Sequence, residues 1–385
     1  MPYFITVPRV TVVIINWNYA AFIGQAIQSV KDQTYGNFAC VIIDNGSSDN
    51  SVDVVTAAIA GDPRFTLHRL TENLGQLRAG FWALDHINGE FVTFLDADDV
   101  LFPAFLASHL QVHLASRSPA GFTTSDIVNA DAAGMPLAGG YTALYRGWQL
   151  GEPCLMPPQR AIRIGAVDEA GYSELTHASR YLPGNLGGWN WSPGTSNMLR
   201  LSLMRRVCPT EMPAIVVNCL DMYFLSLLNA ISGAIVIDLA LSAYRIHGKN
   251  DVAGLPFLRD VRSQFSAATS NRASLDQGPF SLAILIDKFE DSPVPQSRIW
   301  IVLDNVAARH GGALSFDDPA VMSAIARQYP ALVRFFGERT VLRELRARYN
   351  YKNVLAIAMA SRKGTQRFTT RRRALSHELR RRLKF

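Results

Sequence analysis

The chain has 385 residues, enough for one large domain or two, and its apolar content of 48% is ordinary for a globular protein. The net charge of +6 is unevenly spread: residues 362–384 contain ten Lys or Arg and one acid, a charge of +9, which leaves residues 1–361 at −3. The body is therefore mildly acidic with a basic appendage, and because no nucleic-acid reader motif accompanies the charge we expect no nucleic-acid partner.

The chain lacks obvious targeting and membrane signals. Its N-terminus has neither the charged start nor the apolar run of a signal peptide. The most apolar stretch, residues 222–237, is shorter than the ~20 residues that span a bilayer, and it predicts a buried helix followed by a strand. The four cysteines have no metal-site spacing and indicate a reduced environment. We therefore expect a cytoplasmic location.

Strand-like and helix-like segments alternate along the first hundred residues. Apolar and β-branched runs predict strands at 10–15, 40–43, 65–69 and 91–95. Helical spacing of apolar residues predicts helices at 21–33, 51–60 and 75–87. This alternation predicts an α/β fold with a parallel sheet and helices on both faces.

The rest of the chain is less regular. Helices are predicted at 103–113, 199–207 and 221–231, a strand at 234–239, and mostly helix over 251–271 and from 280 onward. Loops are predicted at 134–140, 154–158 and 185–194, the last rich in glycine and tryptophan. A domain boundary is expected near residue 255, with a helical C-terminal region over 256–385.

Three carboxylates, Asp96, Asp98 and Asp99, directly follow the predicted strand 91–95. Clustered carboxylates repel one another, and such a cluster is suited to a hard divalent cation that prefers oxygen ligands. In open α/β sheets, ligands bind beyond the carboxyl ends of the strands. The alternative is that Asp98 or Asp99 caps a helix that begins near Pro103.

Several blocks in order along residues 10–250 resemble the family 2 glycosyltransferases with the GT-A fold. The blocks are VIINWN at 13–18, AIQSV at 26–30, QTY at 33–35, VIIDNGSSD at 41–49, ENLGQ at 72–76, GE at 89–90, DADD at 96–99 and YRIHGKN at 244–250. The resemblance implies a Rossmann-like, nucleotide-binding mixed sheet flanked by helices over residues 1–255. It also implies a donor half over about 1–115 and an acceptor half over about 116–255.

The resemblance further implies a binding site for a nucleotide-sugar donor at the first strand ends, built from Asn16, Asn18, Asp44, Asn45 and Gln76. Many relatives carry a second Asp at the position of Asn45, where it accepts the N3–H of uracil. The amide oxygen of Asn45 can still accept a hydrogen bond, so UDP, dTDP and GDP donors all remain open. A turn at Asn45 and the glycine that follows is the alternative, and both can hold.

The same resemblance implies that Asp96 faces the ribose or the metal and that Asp98 ligates Mg²⁺ or Mn²⁺ bridging the two phosphates. Such a cation acts as a Lewis acid on the leaving diphosphate. His247 is expected to be a further metal ligand or a phosphate contact, with a purely structural histidine as the alternative. Arg245 and Lys249 are expected to neutralise the diphosphate, or else to belong to a charged surface.

On the acceptor side, inverting transfer needs a general base beside the acceptor hydroxyl. Relatives carry a Glu-Asp pair at the start of a helix, and this chain has Leu220 and Asp221 there, so the Glu is missing and Asp221 is the expected base. Its alternative role is a helix N-cap. Trp189 and Trp191 are expected to contact the acceptor, with loop anchoring as the alternative.

The tail has leucines at 375, 379 and 383 with arginines around them, which is typical of a basic amphipathic helix that binds an anionic membrane surface. The expected acceptor is accordingly a glycan or a lipid-linked saccharide of cell-surface polysaccharide synthesis, with the protein peripheral on the inner face of the membrane. A helix packed on the body, a partner-binding helix and a frayed tail are the alternatives.

Two other functions compete with an inverting glycosyltransferase. A nucleotidyltransferase also uses paired acids on a Rossmann-like sheet, but its glycine-rich, Lys-containing N-terminal loop is absent here. A catalytically inactive scaffold is favoured by Leu220 and Asn45, which depart from the family pattern. Retention of Asp96, Asp98 and Asp221 in register argues against it.

Overall fold

The computed structural model describes residues 7–140, 142–209, 220–247, 250, 277–291, 294–309 and 316–361. The predicted boundary near residue 255, the helix predicted at 251–271, Lys249 and the basic tail lie outside these residues. None of the described helices is both long and apolar enough to cross a bilayer.

Most of the described chain is in regular structure. The strands are β1 (Val10–Asn16), β2 (Phe38–Asp44), β3 (Phe65–Arg69), β4 (Phe91–Asp96), β5 (Val100–Leu101), β6 (Phe122–Asp131), β7 (Pro136–Ala138), β8 (Glu152–Pro153), β9 (Ser179–Leu182), β10 (Asn197–Arg200) and β11 (Ala234–Ile246). The helices are α1 (Ile23–Lys31), α2 (Ser51–Ile59), α3 (Gln76–His86), α4 (Phe105–Ala115), α5 (Thr142–Leu150), α6 (Glu169–Ala178), α7 (Leu201–Val207), α8 (Leu220–Ser232), α9 (Gln277–Asp287), α10 (Ile299–Arg309), α11 (Pro319–Phe336), α12 (Glu338–Arg348) and α13 (Tyr351–Ser361).

The first half of the sheet is parallel, in the order β3-β2-β1-β4. Its apolar runs are buried on both faces, as is usual for parallel strands covered by helices. The register pairs Asn16 with Asp44, and Ile15 with Asp96. The polar residues that end β1, β2 and β4 therefore meet at one edge of the sheet, as the sequence predicts.

The second half makes the sheet mixed, which confirms the expected fold class. β10 pairs antiparallel with both β4 and β6, and β11 lies parallel to β6 and antiparallel to β9. The helix predicted at 199–207 is therefore wrong over its first two residues, because the short strand β10 precedes α7. β11 also extends beyond the predicted 234–239, and β7 lies inside the predicted loop 134–140. β10 and β11 depend on neighbours distant in sequence, whereas β7 is a short strand that pairs with the preceding β6 across a register shift.

The two faces of the sheet bury different cores. Along β1, Val12 and Ile14 pack with α1 and α4, whereas Val13 points to the opposite face, where α3, α7 and α8 lie. This alternation is the two-residue period of a strand. The helices α9–α13 belong to the second core through residues such as Leu282 and Leu345. Helices α9–α13 therefore lie on the same side of the sheet as α8.

Candidate active site

A cavity of about 1040 Å³ opens at the carboxyl ends of β1, β2 and β4. The walls combine side chains from both halves of residues 1–255. They include Asn18, Asn45, Gln76, Asp96, Asp98, Gly194, Asp221 and Asn250. A ligand site beyond these strand ends agrees with the general rule for open α/β sheets. Most of the residues expected at the donor site, the metal and the base thus surround one cavity.

Asp98, which lines the cavity, is hydrogen-bonded to His247, which does not line it. The Oδ2 atom of Asp98 lies 2.9 Å from Nε2 of His247, and both side chains are almost fully buried. The imidazole stacks on Phe22 at 4.6 Å between ring centroids and meets the edge of Tyr19 at 5.7 Å. The side-chain oxygen of Asn250 accepts from the backbone N–H of His247 at 2.8 Å.

The spacing of this pair fits a divalent cation. Neighbouring ligands of an octahedral ion with bonds of about 2.1 Å stand about 3 Å apart, close to the Asp98–His247 distance. No group of three His, Cys, Asp or Glu side chains in the described part of the chain is arranged to hold a metal. Mg²⁺ sites commonly use one or two protein ligands and complete the shell with substrate phosphates and water. Asp98 and His247 alone could therefore supply only part of the ligand shell of such a cation.

Asp99 points away from the cavity and ties two segments together. Its Oδ2 accepts from Oγ1 of Thr195 at 2.6 Å, and its Oδ1 accepts from the backbone N–H of Arg245 at 2.9 Å. Burial, with the nearby charges of Asp98 and Asp96, raises the pKa of Asp99 well above its ordinary value. The helix-cap alternative is wrong for both acids, because α4 begins after Ala104 without a side-chain cap.

Asp96 is joined to the start of α8 through Gln76. The Nε2 atom of Gln76 donates to Oδ1 of Asp96 at 3.0 Å, and its Oε1 accepts from the backbone N–H of Leu220 at 3.3 Å. Thr195 adds a bond from the other side, since its hydroxyl accepts from the backbone N–H of Asp96. Gln76, expected to bind the donor, thus also positions the helix that carries Asp221.

Asp221 is the second residue of α8, so the N-cap alternative is wrong. Its Oδ2 accepts from the backbone N–H of Gly194 at 3.1 Å, and its Oδ1 accepts from the N–H of Met222 at 2.8 Å. Burial raises the pKa of this carboxyl, although both hydrogen bonds oppose that shift. A half-buried carboxylate at a cavity wall with a raised pKa is suited to accept a proton.

The loop after β2 is fastened to the loop after β1 by asparagine side chains. Nδ2 of Asn16 donates to Asp44 and to Ser47, both at 3.1 Å. Asn18, in a left-handed conformation with φ of 62°, accepts from the backbone N–H of Ser48 through its side-chain oxygen. Asn16 and Asp44 are buried beneath the loops and do not line the cavity, whereas Asn18 does. Asn16 and Asp44 therefore support this wall from behind.

Asn45 is buried and uses both ends of its amide within the protein. Its Nδ2 donates to Oδ1 of Asn73, and its Oδ1 accepts from the backbone N–H of Leu74, each at 2.9 Å. The side chain lines the cavity as well. The residue therefore orders a turn, which was the alternative interpretation, and a donor contact through Asn45 stays a prediction.

Gly46 allows this loop to pass close to the next one. Its φ is +74°, and an added Cβ would lie 2.7 Å from the backbone carbon of Glu72. We expect Gly46→Ala to lower the free energy of unfolding by more than the ~1–2 kcal/mol of a left-handed alanine, because the backbone of Glu72 must also move. Urea unfolding followed by circular dichroism measures this. Gly61→Ala is the matched control, since Gly61 has φ of +77° and open space around it, and equal losses in the two variants would contradict the expectation.

Arg245 does not line the cavity. Its side chain is buried, with the guanidinium 5.1 Å from the ring centroid of Phe22. Its backbone N–H bonds to Asp99, and its carbonyl oxygen accepts from Asn250 at 2.7 Å. The side chain of Arg245 is therefore buried away from the cavity, which contradicts both the expected diphosphate contact and the charged-surface alternative.

The two tryptophans expected at the acceptor have different environments. Trp191 is fully buried in the core, edge-on to Phe122. It therefore anchors the loop, as the alternative interpretation held, and the expected acceptor contact is wrong. Trp189 is half-buried and lies 5.0 Å from Trp191 between ring centroids. An acceptor contact through Trp189 remains a prediction.

Sequence reasoning missed Gly194 and Thr195, which connect the carboxylates from the loop before β10. Gly194 contacts Asp221 through its N–H, and an added Cβ there would lie 3.1 Å from Oδ2 of Asp96. The prolyl-glycine step at 193–194 was visible as a turn signal. Nothing in the sequence alone indicated which carboxylates the turn would contact.

The first half of the chain is similar to known proteins. Residues 11–170 match the family model "Glycosyl transferase family 2". The chain is 40% identical over 123 residues to an uncharacterized glycosyltransferase of Nostoc sp., covering 31% of this chain and 34% of that protein. It is 31% identical over 94 residues to an uncharacterized glycosyltransferase of Haemophilus influenzae, covering 24% of this chain and 38% of that protein.

These matches span about a third of the length of the curated relatives. Among solved structures, S. aureus TarS 1-349 in complex with UDP-GlcNAc aligns over 93% of this chain and 92% of its own, at 15% identity and a TM-score of 0.47.

Proposed function

We propose that the protein moves a sugar from a nucleoside-diphosphate sugar to an acceptor hydroxyl, on the premise that residues 11–170 match the model of glycosyl transferase family 2. The observation that carries the proposal is the shared cavity: Asp96, Asp98 and Asp221 line it together. Gln76 hydrogen-bonds both to Asp96 and to Leu220 at the start of α8, and Gly194 hydrogen-bonds to Asp221. A donor at the strand ends and an acceptor beside α8 would therefore meet in one space.

The metal proposal rests on the Asp98–His247 pair. Mg²⁺ or Mn²⁺ would be held by Asp98 and His247, with the donor diphosphate completing the shell. When bound, such an ion supplies Lewis-acid stabilisation of the negative charge on the leaving diphosphate. Asn250, whose Nδ2 lies 3.4 Å from Oδ2 of Asp98, and the rings of Phe22 and Tyr19 would keep the two ligands in place.

We assign the general base to Asp221 and the stereochemical course to inversion. The carboxylate would take the proton of the acceptor hydroxyl as that oxygen attacks the anomeric carbon. The new C–O bond forms as the bond to the diphosphate breaks, so the nucleoside diphosphate leaves with the electron pair. The backbone N–H of Gly194 holds Oδ2 of Asp221, which orients the carboxyl and leaves further lone pairs for the acceptor.

A binding panel tests the donor site directly. Calorimetry with UDP-, dTDP- and GDP-sugars, with and without Mn²⁺, should give cation-dependent binding of one nucleotide class. Release of the free nucleoside diphosphate, measured in the same samples, then reports slow hydrolysis or transfer. Folded protein that binds no member of the panel would contradict the donor site and favour the inactive scaffold.

For the acceptor and location, we propose a glycan or lipid-linked saccharide of surface polysaccharide synthesis, used at the inner face of the cytoplasmic membrane. The support is the basic amphipathic pattern of residues 371–385.

The membrane proposal has its own test. A chain that ends at Ser361 should lose co-sedimentation with phosphatidylglycerol vesicles and keep donor binding, because the deletion removes a charge of +9. Replacing the three tail leucines with serine separates an amphipathic helix from charge alone. Full vesicle binding by the shortened chain would contradict a membrane role for the tail.

A further inference from the structure

A second cavity, of about 800 Å³, lies at the opposite edge of the sheet from the candidate active site. One of its lining residues, Arg200, pairs with Phe91 at the start of β4, whereas Asp96 ends that strand beside the first cavity. Five residues of extended strand rise about 17 Å, so the two cavities are well separated. The second cavity lies between α7, the end of α8 and the segment that begins α10.

The charged side chains that line the second cavity are all positive. Arg200, Arg206 and Arg298 line it, and the lining includes no Asp or Glu from the described residues. Within that part of the chain, none of the three arginines forms an ion pair, whereas Arg348 and Arg327 elsewhere do. Neutral polar side chains, among them Asn185 and Asn305, complete the polar wall.

The three guanidinium groups are held differently. Arg200 is partly buried: its Nε donates to the carbonyl oxygen of Ala120 at 2.9 Å, and its guanidinium lies 5.2 Å from the ring centroid of Phe91. Its burial lowers the pKa of this guanidinium, which no carboxylate offsets. Arg206 and Arg298 are exposed. The cavity thus has one oriented cation in its wall and two free cations at its rim.

The C-terminal helical region supplies part of this cavity. Arg298 immediately precedes α10, an eleven-residue helix, and Ile301 in its first turn also lines the cavity. The positive end of the α10 dipole therefore adds to the field of the arginines. Ile301 is 54% exposed and, with Leu203 and Val294, provides an apolar surface beside the charges.

We propose that this second cavity binds a phosphoryl-bearing anion, either a free phosphate compound or the headgroup of a lipid. Guanidinium groups bind phosphate oxygens in pairs of parallel hydrogen bonds, and three that line one cavity without carboxylates from the described residues favour a multiply charged anion. The proposal is independent of the transfer reaction. It assigns to the C-terminal region a ligand-binding role, through Arg298.

Isothermal calorimetry with inorganic phosphate, in the absence of divalent cations, tests this assignment. The double variant Arg206→Gln/Arg298→Gln should bind phosphate at least about 10-fold more weakly than the unmodified chain, because each lost charged hydrogen bond contributes substantially. Both side chains are exposed, so the variant should fold normally. Arg339→Gln/Arg346→Gln removes two exposed arginines elsewhere and should leave binding unchanged.

Two further arms locate the ligand and its source. Asp98→Ala should keep phosphate binding, since Asp98 lines only the first cavity.

In the second arm, dihexanoyl phosphatidic acid below its micelle concentration replaces phosphate. Tighter binding than that of phosphate indicates a lipid headgroup, and equal or weaker binding indicates a free phosphate compound. Undetectable phosphate binding, or binding that survives Arg206→Gln/Arg298→Gln unchanged, would overturn the proposal.

Discussion

Asp221→Asn should lower kcat by about 10²–10⁴-fold and leave binding of the donor nucleotide in place. The amide has nearly the same shape as the carboxylate but cannot take the acceptor proton. Its oxygen can still accept from the backbone N–H of Gly194, so the loop that forms the cavity wall keeps its partner. Initial rates at saturating donor, together with calorimetric donor affinity, separate the loss of chemistry from a loss of binding.

The pH profile adds a second readout for Asp221. Burial raises the pKa of this carboxyl, so the group stays protonated to a higher pH than a free aspartate of pKa about 3.9. Because only the ionised form accepts a proton, kcat/KM should fall on the acid side with a midpoint above that value. The Asn variant should lose this acid limb.

A matched control exists for this substitution. Asp238 is exposed on β11 and does not line the active-site cavity, so Asp238→Asn removes a carboxylate without touching the cavity. Its kcat should equal that of the unmodified chain. A kcat for Asp221→Asn within about threefold of this control, far less than a general base contributes, would exclude Asp221 as the base.

Asp98→Ala should abolish the part of donor binding that depends on the divalent cation. Loss of partners that merely orient metal ligands costs 10–100-fold in metal affinity, so loss of a ligand should cost about 100-fold or more. Calorimetric titration of Mn²⁺ in the presence of the nucleotide measures it directly. Asp53→Ala, which removes an exposed carboxylate from α2, is the control and should retain full affinity.

His247→Ala distinguishes the two roles expected for that histidine. If His247 is a metal ligand, its removal lowers the affinity for Mn²⁺ and leaves nucleotide binding without the cation unchanged. If His247 is a phosphate contact, its removal weakens nucleotide binding both with and without Mn²⁺. If Mn²⁺-dependent binding persists undiminished in both Asp98→Ala and His247→Ala, the metal site does not involve this pair.

Local sequence signals predicted the parallel half of the fold because there each element depends on its own residues. β1, β2 and β4 are apolar runs that are buried on both faces, so they can be identified without knowing how they pair. The amphipathic helices α1 and α2 follow β1 and β2 closely. The polar strand ends that come next had to meet at one sheet edge. Asp96 and Asp98 were therefore found at the cavity from the strand-end pattern, whereas Asn45 was found there only from the family resemblance.

The acceptor half was harder to predict because its strands form through distant pairings. β10 is four residues long and lies between β4 and β6, which are far away in sequence. Four residues are too few for the alternation of buried and exposed positions in a strand to show as a pattern in the sequence. Likewise, Trp191 lies in a glycine- and tryptophan-rich segment whose composition is typical of a binding loop. Only its packing against Phe122 assigns it to the core.

The sequence by itself determined the fold class, the order of the donor-side elements and the residue types that face the cavity, since hydrophobic periodicity and strand-end chemistry are local properties. Only the tertiary structure decided how those residues act together. It placed Gln76 between Asp96 and the start of α8, turned Asp99 and Arg245 away from the cavity, and brought Gly194 to Asp221. Contacts between residues distant in the sequence depend on how all the layers pack at once, and no local pattern records that.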